Sequence, residues 1–199
     1  MRRGCILVSA WIASACGTVG GARPPVVEVH EAAGFTITER ARLSAGVRAD
    51  FESALRLLEQ ERYADGIALL QKVVESAPEA TTAHIDLAIA LGRVGDLQRA
   101  EASLERALEL NPRHPVAHNE LGIIRRRTGR FAEARESYEK ALAIHPSFHF
   151  ARRNLAILCD VYLADPTCAL EHYELYTRAV PDDEAAAMWV ADLRNRVGR

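Results

Sequence analysis

The sequence has no apolar run long enough to cross a bilayer. Its longest mostly apolar or small stretch, residues 4–15, is too short to span as a stable helix, which excludes a body built from hydrophobic membrane helices. Cysteine is scarce. Cys5, Cys16, Cys159 and Cys168 are the only four, and their spacing makes neither a redox CxxC nor a four-ligand metal site. Excess charge is also missing, with 25 Lys+Arg against 27 Asp+Glu and a formal net charge of -2. No serine or cysteine stands in a recognisable nucleophile elbow with partners, so neither an enzyme nor a cofactor is expected. The remaining candidates for metal chemistry are His30, His84, His114, His118, His145, His149 and His172. They recur at related places: His84 and His118 lie 34 residues apart, and His114 and His145 sit beside prolines. That periodicity favours packing and turn roles over a metal cluster.

What the sequence does contain is a period. Between His114 and Ser147, Leu121 and Gly122 are followed by Ala134, Tyr138, Ala141 and Pro146. The pattern recurs upstream as Leu87, Ala88, Ala100, Leu104, Ala107 and Pro112, and prolines mark the interval at 78, 112 and 146. Each unit holds two amphipathic runs of about 13 residues, with apolar or small residues three and four apart. A turn at Gly95-Asp96 or Gly129-Arg130 separates them. A short helix pair has one sticky face and cannot close a core alone, so it must stack on the next pair. Ala88, Gly122, Ala100, Ala134, Ala107 and Ala141 let helix axes approach, while Leu104 and Tyr138 fill the wider gaps. The unit resembles the tetratricopeptide repeat, a helix-turn-helix module of about 34 residues. The resemblance implies an all-α fold, a right-handed superhelical solenoid of antiparallel helix pairs, with units at about 47–80, 81–114, 115–148 and 149–182 and a capping helix at 183–197.

The N-terminus carries a different signal. Met1-Arg2-Arg3 is basic, residues 4–15 have the size of a signal-peptide core, and Ala13-Ser14-Ala15-Cys16-Gly17 follows. This resembles the lipobox of bacterial lipoproteins, with Ala13 where leucine is usual. The resemblance implies cleavage before Cys16, diacylglycerol on its thiol and acylation of its new amine. Ordinary secretion and a merely disordered start are the alternatives. Several acyl chains, palmitate among them, would anchor firmly where one would not. The expected location is the bacterial envelope, facing the periplasm, with the outer membrane favoured because no acidic residue stands at position 17. Losing residues 1–15 takes Lys+Arg from 25 to 23 against 27 acids and the charge from -2 to -4, an acidity that argues against nucleic acid as a partner. Residues 16–37, with Gly20-Gly21 and Pro24-Pro25, read as a flexible tether. The helical domain is then 38–199.

The ends of the array are irregular. Ala41, Leu43, Val47, Phe51, Ala54, Leu55 and Leu58 make an apolar stripe in a degenerate first unit, with Leu57, Gly66, Leu70, Val73 and Pro78 in register, and its first helix is expected to extend backwards as a cap. In the fourth unit, Leu155 and Ala156 precede a turn at 162–166 that is one residue longer. Ala169, Tyr173, Tyr176 and Pro181 then resume the pattern. Tyr176 stands where regular units have alanine, so it must push its neighbour outward or meet a gap. A last helix has Asp182 or Asp183 near its N-cap, and Met188, Trp189, Leu193 and Val197 are expected to seal the stack. Cys159 and Cys168 lie near the facing ends of an antiparallel hairpin, within reach of a disulfide. Two small reduced core residues are the alternative.

Function is expected on the concave face. Resemblance to repeats of this kind places there Phe51, Leu55 and Leu58, then Ile85, Ile89 and Arg93, then Asn119, Ile123, Arg126 and Arg127, then Arg153, Ile157 and Asp160. An apolar floor with arginines suits an extended or helical segment of an envelope protein that carries carboxylates. The alternative is that some arginines only solvate an inner face. Ile123 departs from the asparagine- and lysine-rich clamp that grips a C-terminal carboxylate in some members. The layout is similar to pilotin-like factors of pilus and secretin assembly, although the long fourth turn with Asp165-Pro166 departs from them. An accessory of an energy-transducing envelope complex and a helper of envelope polymer assembly are as compatible, and the competing structural reading is self-association through the terminal helix, with Trp189 and Tyr176 as candidates.

Overall fold

The computed structural model describes residues 26–30, 34–38 and 43–198. Two short strands come first, β1 (Val26–His30) and β2 (Gly34–Thr38), paired antiparallel with Val26 opposite Thr38. Where residues are described, at 26–30 and 34–37, this differs from the flexible tether expected across 16–37. The segment is rich in β-branched residues, and that local preference for extended backbone outweighs the Gly- and Pro-rich flank. Helix also starts later than the expected Thr38. Ser44 is the N-cap, its hydroxyl accepting from the Val47 amide, and α1 runs Ala45–Glu59. α1 begins two residues before its unit's register start at 47, where the later first helices begin at Thr81, Pro115 and His149, so the backward extension is short; α2 (Tyr63–Ser76) follows. Ala41, like Cys16 and the whole signal segment, lies outside the described residues.

Three more pairs follow: α3 (Thr81–Val94) with α4 (Leu97–Leu110), α5 (Pro115–Arg127) with α6 (Phe131–Ile144), and α7 (His149–Ile157) with α8 (Pro166–Ala179). A final helix, α9 (Glu184–Val197), packs on α8. The fold is an all-α solenoid of antiparallel helix pairs with a terminal helix. Buried side chains form two adjoining clusters, one from Phe51 to Ala151 and one from Ala134 to Leu193, and Leu142 packs against both. Among the described residues, no helix is long and apolar enough to cross a membrane.

Each turn inside a pair passes through left-handed backbone. Gly95 (φ 89°) and Gly129 (φ 79°) hold that place in the regular units, and Glu61 (φ 60°) and Ala164 (φ 51°) hold it in the first and fourth. The turn between pairs is fixed by a second recurring device. His84 Nε2 and His118 Nε2 donate to the carbonyls of Pro78 and Pro112 at 3.1 and 2.9 Å, and Arg152, the next residue in register, donates to that of Pro146 at 2.6 Å. A carbonyl only accepts, so both rings carry their proton on Nε2. Ion pairs then link successive units. Arg130 bonds Glu101 across one junction, and across the next the signs are exchanged, with Arg135 3.5 Å from Asp165.

The fourth unit absorbs its extra residue in an unexpected form. Instead of a longer loop, α7 runs directly into a π-helical turn, Leu158–Tyr162, which widens the helix by one residue per turn. Cys159 and Cys168 are bonded to each other, with α carbons 5.9 Å apart, so the disulfide joins this turn to the start of α8. Tyr176 meets a gap: it is buried, and its hydroxyl donates to Asp183 at 2.8 Å. The other oxygen of Asp183 caps α9 through the Ala186 amide. Ala186, Val190 and Leu193 seal the stack. Met188 and Val197 do not, being 72% and 41% exposed, because they fall on the outer side of α9.

Candidate functional site

The inner face of the curve follows from which helices touch. α3 packs on α5 and α5 on α7, while the second helices of successive pairs have no comparable contact and fan apart. First helices therefore line the concave side. On this side the expected groove residues fall into three groups. Phe51, Ile85 and Asn119 are 6%, 0% and 1% exposed, closed off in the core, and shape the floor from beneath. Leu55, Leu58, Ile89, Ile123 and Ile157 are half-buried and form its apolar surface. The polar members, Arg93, Arg126, Arg127, Arg153 and Asp160, are half-buried or exposed.

The arginines are not equivalent. Arg127 donates to the Gly92 carbonyl and so ties α5 to α3. Arg126 lies over the Tyr162 ring, 5.5 Å from its centroid, and donates to its hydroxyl at 3.3 Å. Arg153 lies 6.0 Å from the Tyr176 ring and 5.9 Å from that of Trp189. Among the described residues none of Arg93, Arg126, Arg127 and Arg153 forms an ion pair. Asp160 is occupied by Arg196 at 2.7 Å.

Similarity to known proteins agrees with this geometry. Residues 51–91 and 85–147 match the tetratricopeptide repeat family. The fold is that of a tetratricopeptide-like solenoid. A search of curated proteins found no match. Solved structures of similar fold include MamA (residues 41 to the end) from Desulfovibrio magneticus RS-1, at 17% identity over 78% of this chain and 87% of that one, TM-score 0.68. Another is pilF of Pseudomonas aeruginosa, at 22% identity over 75% of this chain and 68% of that one, TM-score 0.68. The first repeat domain of Spaghetti, bound to the HSP90 peptide SRMEEVD, matches at 22% identity over 63% of this chain and 99% of that one, TM-score 0.58. At these identities the likeness is one of fold.

A polar row in the tetratricopeptide groove escapes the sequence reading. Asp86, Glu120 and Asn154 sit at the same place in successive first helices, each 34 residues from the next. Asn154 donates to Asn119 at 2.9 Å and Asn119 donates to Glu120 at 2.9 Å, stitching α7 to α5. Asp86 is 5% exposed, and its Oδ2 has no hydrogen-bond partner. Burial pushes the Asp86 carboxyl up to about 8 and that of Glu120 up to about 7. The signal that could have found the row is the repeat interval itself, but the three residues differ in type. Among the described residues no group of side chains could hold a metal ion, and repeats of this family build binding surfaces rather than reaction centres.

Proposed function

We propose that the protein is a non-catalytic adaptor, lipid-anchored through Cys16 and facing the periplasm, whose concave groove holds a carboxylate-bearing segment of another envelope protein. One observation carries this reading. Arg126 and Arg153 are half-buried beside an apolar floor, and no carboxylate of the described chain pairs with them. A guanidinium withdrawn from water and left unpaired is a site for an acidic partner. The Spaghetti domain, of the same fold, is bound to the acid-containing peptide SRMEEVD. The likeness to pilF supports a pilotin-like accessory of pilus or secretin assembly over the other envelope readings.

A photoreactive residue at position 123 in cells tests the groove. Capture of a partner there should be lost on charge reversal, Arg126→Glu with Arg153→Glu, which costs about 2–5 kcal/mol where charge pairs are buried. The helical fold should persist. No capture at position 123 together with efficient homotypic crosslinking at position 189 would favour self-association, since Trp189 and Met188 are exposed on α9. The anchor is tested separately by labelling with a palmitate analogue. Equal labelling of the native chain and Cys16→Ser would remove it.

A further inference from the structure

The π-helical turn Leu158–Tyr162 reaches three other parts of the molecule. Its Asp160 pairs with Arg196 of α9 at 2.7 Å. Its Tyr162 lies against Phe131 of α6, with ring centroids 4.8 Å apart, and beneath Arg126 at the groove. Its Cys159 is bonded to Cys168 of α8. Where the turn ends, the Leu163 and Asp165 amides donate to the Leu158 and Cys159 carbonyls at 3.1 and 2.9 Å. The disulfide therefore pins a junction at which the third unit, the fourth unit and the terminal helix meet.

The two sulfurs are not equivalent. Cys159 is 0% exposed whereas Cys168 is half-buried, so an attacking thiolate reaches Cys168 and the leaving sulfur is that of Cys159. Arg135 Nη2 stands 3.7 Å from that leaving sulfur. Burial opposes a charge on Cys159, which makes the guanidinium the deciding group, and a better stabilised thiolate leaves faster. Cys168 is the third residue of α8, where the free amides of a helix N-terminus favour negative charge. The adjacent acid is already engaged. One oxygen of Asp165 accepts from the Cys168 amide at 3.0 Å and the other lies 3.5 Å from Arg135. Both sulfurs of the reduced pair thus have a stabilising neighbour, and a disulfide whose reduced form is stabilised yields more readily to a reductant.

We infer that the Cys159–Cys168 pair is an exchange site for an external dithiol oxidoreductase, and that its reduction loosens the Tyr162 end of the groove. A thiolate of the dithiol bonds Cys168 Sγ, the S–S bond breaks, and its electron pair leaves on Cys159 Sγ. The dithiol's second thiolate then attacks its own partner sulfur and frees Cys168. The dithiol ends as a disulfide, oxidised by two electrons, and the reduced pair takes up the two protons it gave. The test uses the full chain with Cys5→Ser and Cys16→Ser, which leaves only this pair, and thioredoxin as the probe. Thioredoxin whose second active-site cysteine is replaced by serine should be trapped as a mixed disulfide that peptide mass spectrometry locates on Cys168. With intact reduced thioredoxin and no denaturant, Arg135→Gln should slow reduction about threefold and shift the equilibrium about tenfold toward the disulfide. The sign is decisive, because an Arg135 that only braced the turn through Asp165 would, once removed, loosen the turn and speed reduction. Hydrogen exchange across 158–163 should accelerate about tenfold on reduction while α3 and α4 are unchanged. Resistance of the folded chain to reduction, trapping on Cys159, or an unchanged or faster rate in Arg135→Gln overturns the exchange site. Unchanged hydrogen exchange across 158–163 after reduction overturns the loosening.

Discussion

At the scale of single residues, the solenoid is governed by pairs in which one side chain sets the size allowed to another. A β carbon added at Gly122 would lie 2.5 Å from Cε1 of Tyr138, a rigid ring that is wholly buried. The preceding unit solves the same position with Ala88 and Leu104, a larger residue facing a smaller one. Gly122→Ala should therefore cost about 1–3 kcal/mol through overpacking. Adding Tyr138→Leu recreates the neighbouring unit's pair and should recover at least half of the loss in a denaturant titration. Failure of the second change to rescue would mean that the ring is held by something besides this contact, and the Arg126 guanidinium beside its hydroxyl is the candidate. The left-handed turn positions behave differently, because nothing lies within 4 Å of a β carbon built at Gly95 or Gly129. Substitution there is a purely conformational cost, about 1 kcal/mol for Gly129→Ala, and Ala164→Gly should be neutral or stabilising by up to about 1 kcal/mol. Thermal unfolding of the two variants should shift in opposite directions or, for Ala164→Gly, not at all.

At the scale of elements, legibility in the sequence tracked whether an element repeats. Helices and their inner turns are visible because apolar spacing, glycine and proline agree at a fixed interval, so each unit reports on the others. The hairpin at 26–38 occurs once and sits beside Gly- and Pro-rich sequence, so its β-branched residues had no second copy to support them. The extra residue near 162 could be counted, but the backbone route could not. The chain widens the helix into a π turn and bonds Cys159 to Cys168 across it, instead of lengthening the loop. First-helix positions were legible where the register was regular, and the carboxyls were missed because Asp86, Glu120 and Asn154 share a place without sharing a side chain. The disulfide spans nine residues, and closing a loop that short stabilises by about 2–3 kcal/mol. Cys159→Ser with Cys168→Ser should lower stability by about that amount, with hydrogen exchange accelerating first across 158–168. Uniform acceleration through all four units would instead show that the fourth unit unfolds only with the whole array.

At the scale of the whole molecule, burial sets two opposed groups of titrating side chains against each other. His84, His114, His118, His145, His149 and His172 are all held below the ordinary 6.5 by burial, His114 at about 3. Their unfolded forms bind protons that the folded forms refuse, so the stability they contribute is present above pH 6.5 and is lost as pH falls below it. Asp86 and Glu120 act in the other direction. Their carboxyls, ordinarily at 3.8 and 4.5, stay protonated in the fold up to about 8 and about 7, so the fold loses stability as pH rises through those values. Six histidines outweigh two acids below 6.5, and only the acids act above it. Thermal stability should therefore peak near neutral pH, falling steeply on the acid side and gently up to about pH 8. Each unbalanced proton changes stability by about 1.4 kcal/mol per pH unit. Asp86→Asn keeps the shape of the buried side chain without its ionisation. It should flatten the alkaline limb, raising the melting temperature at pH 8 more than at pH 5. An equal shift at both pH values would mean that the change acts through packing alone and that Asp86 titrates alike in the folded and unfolded chain.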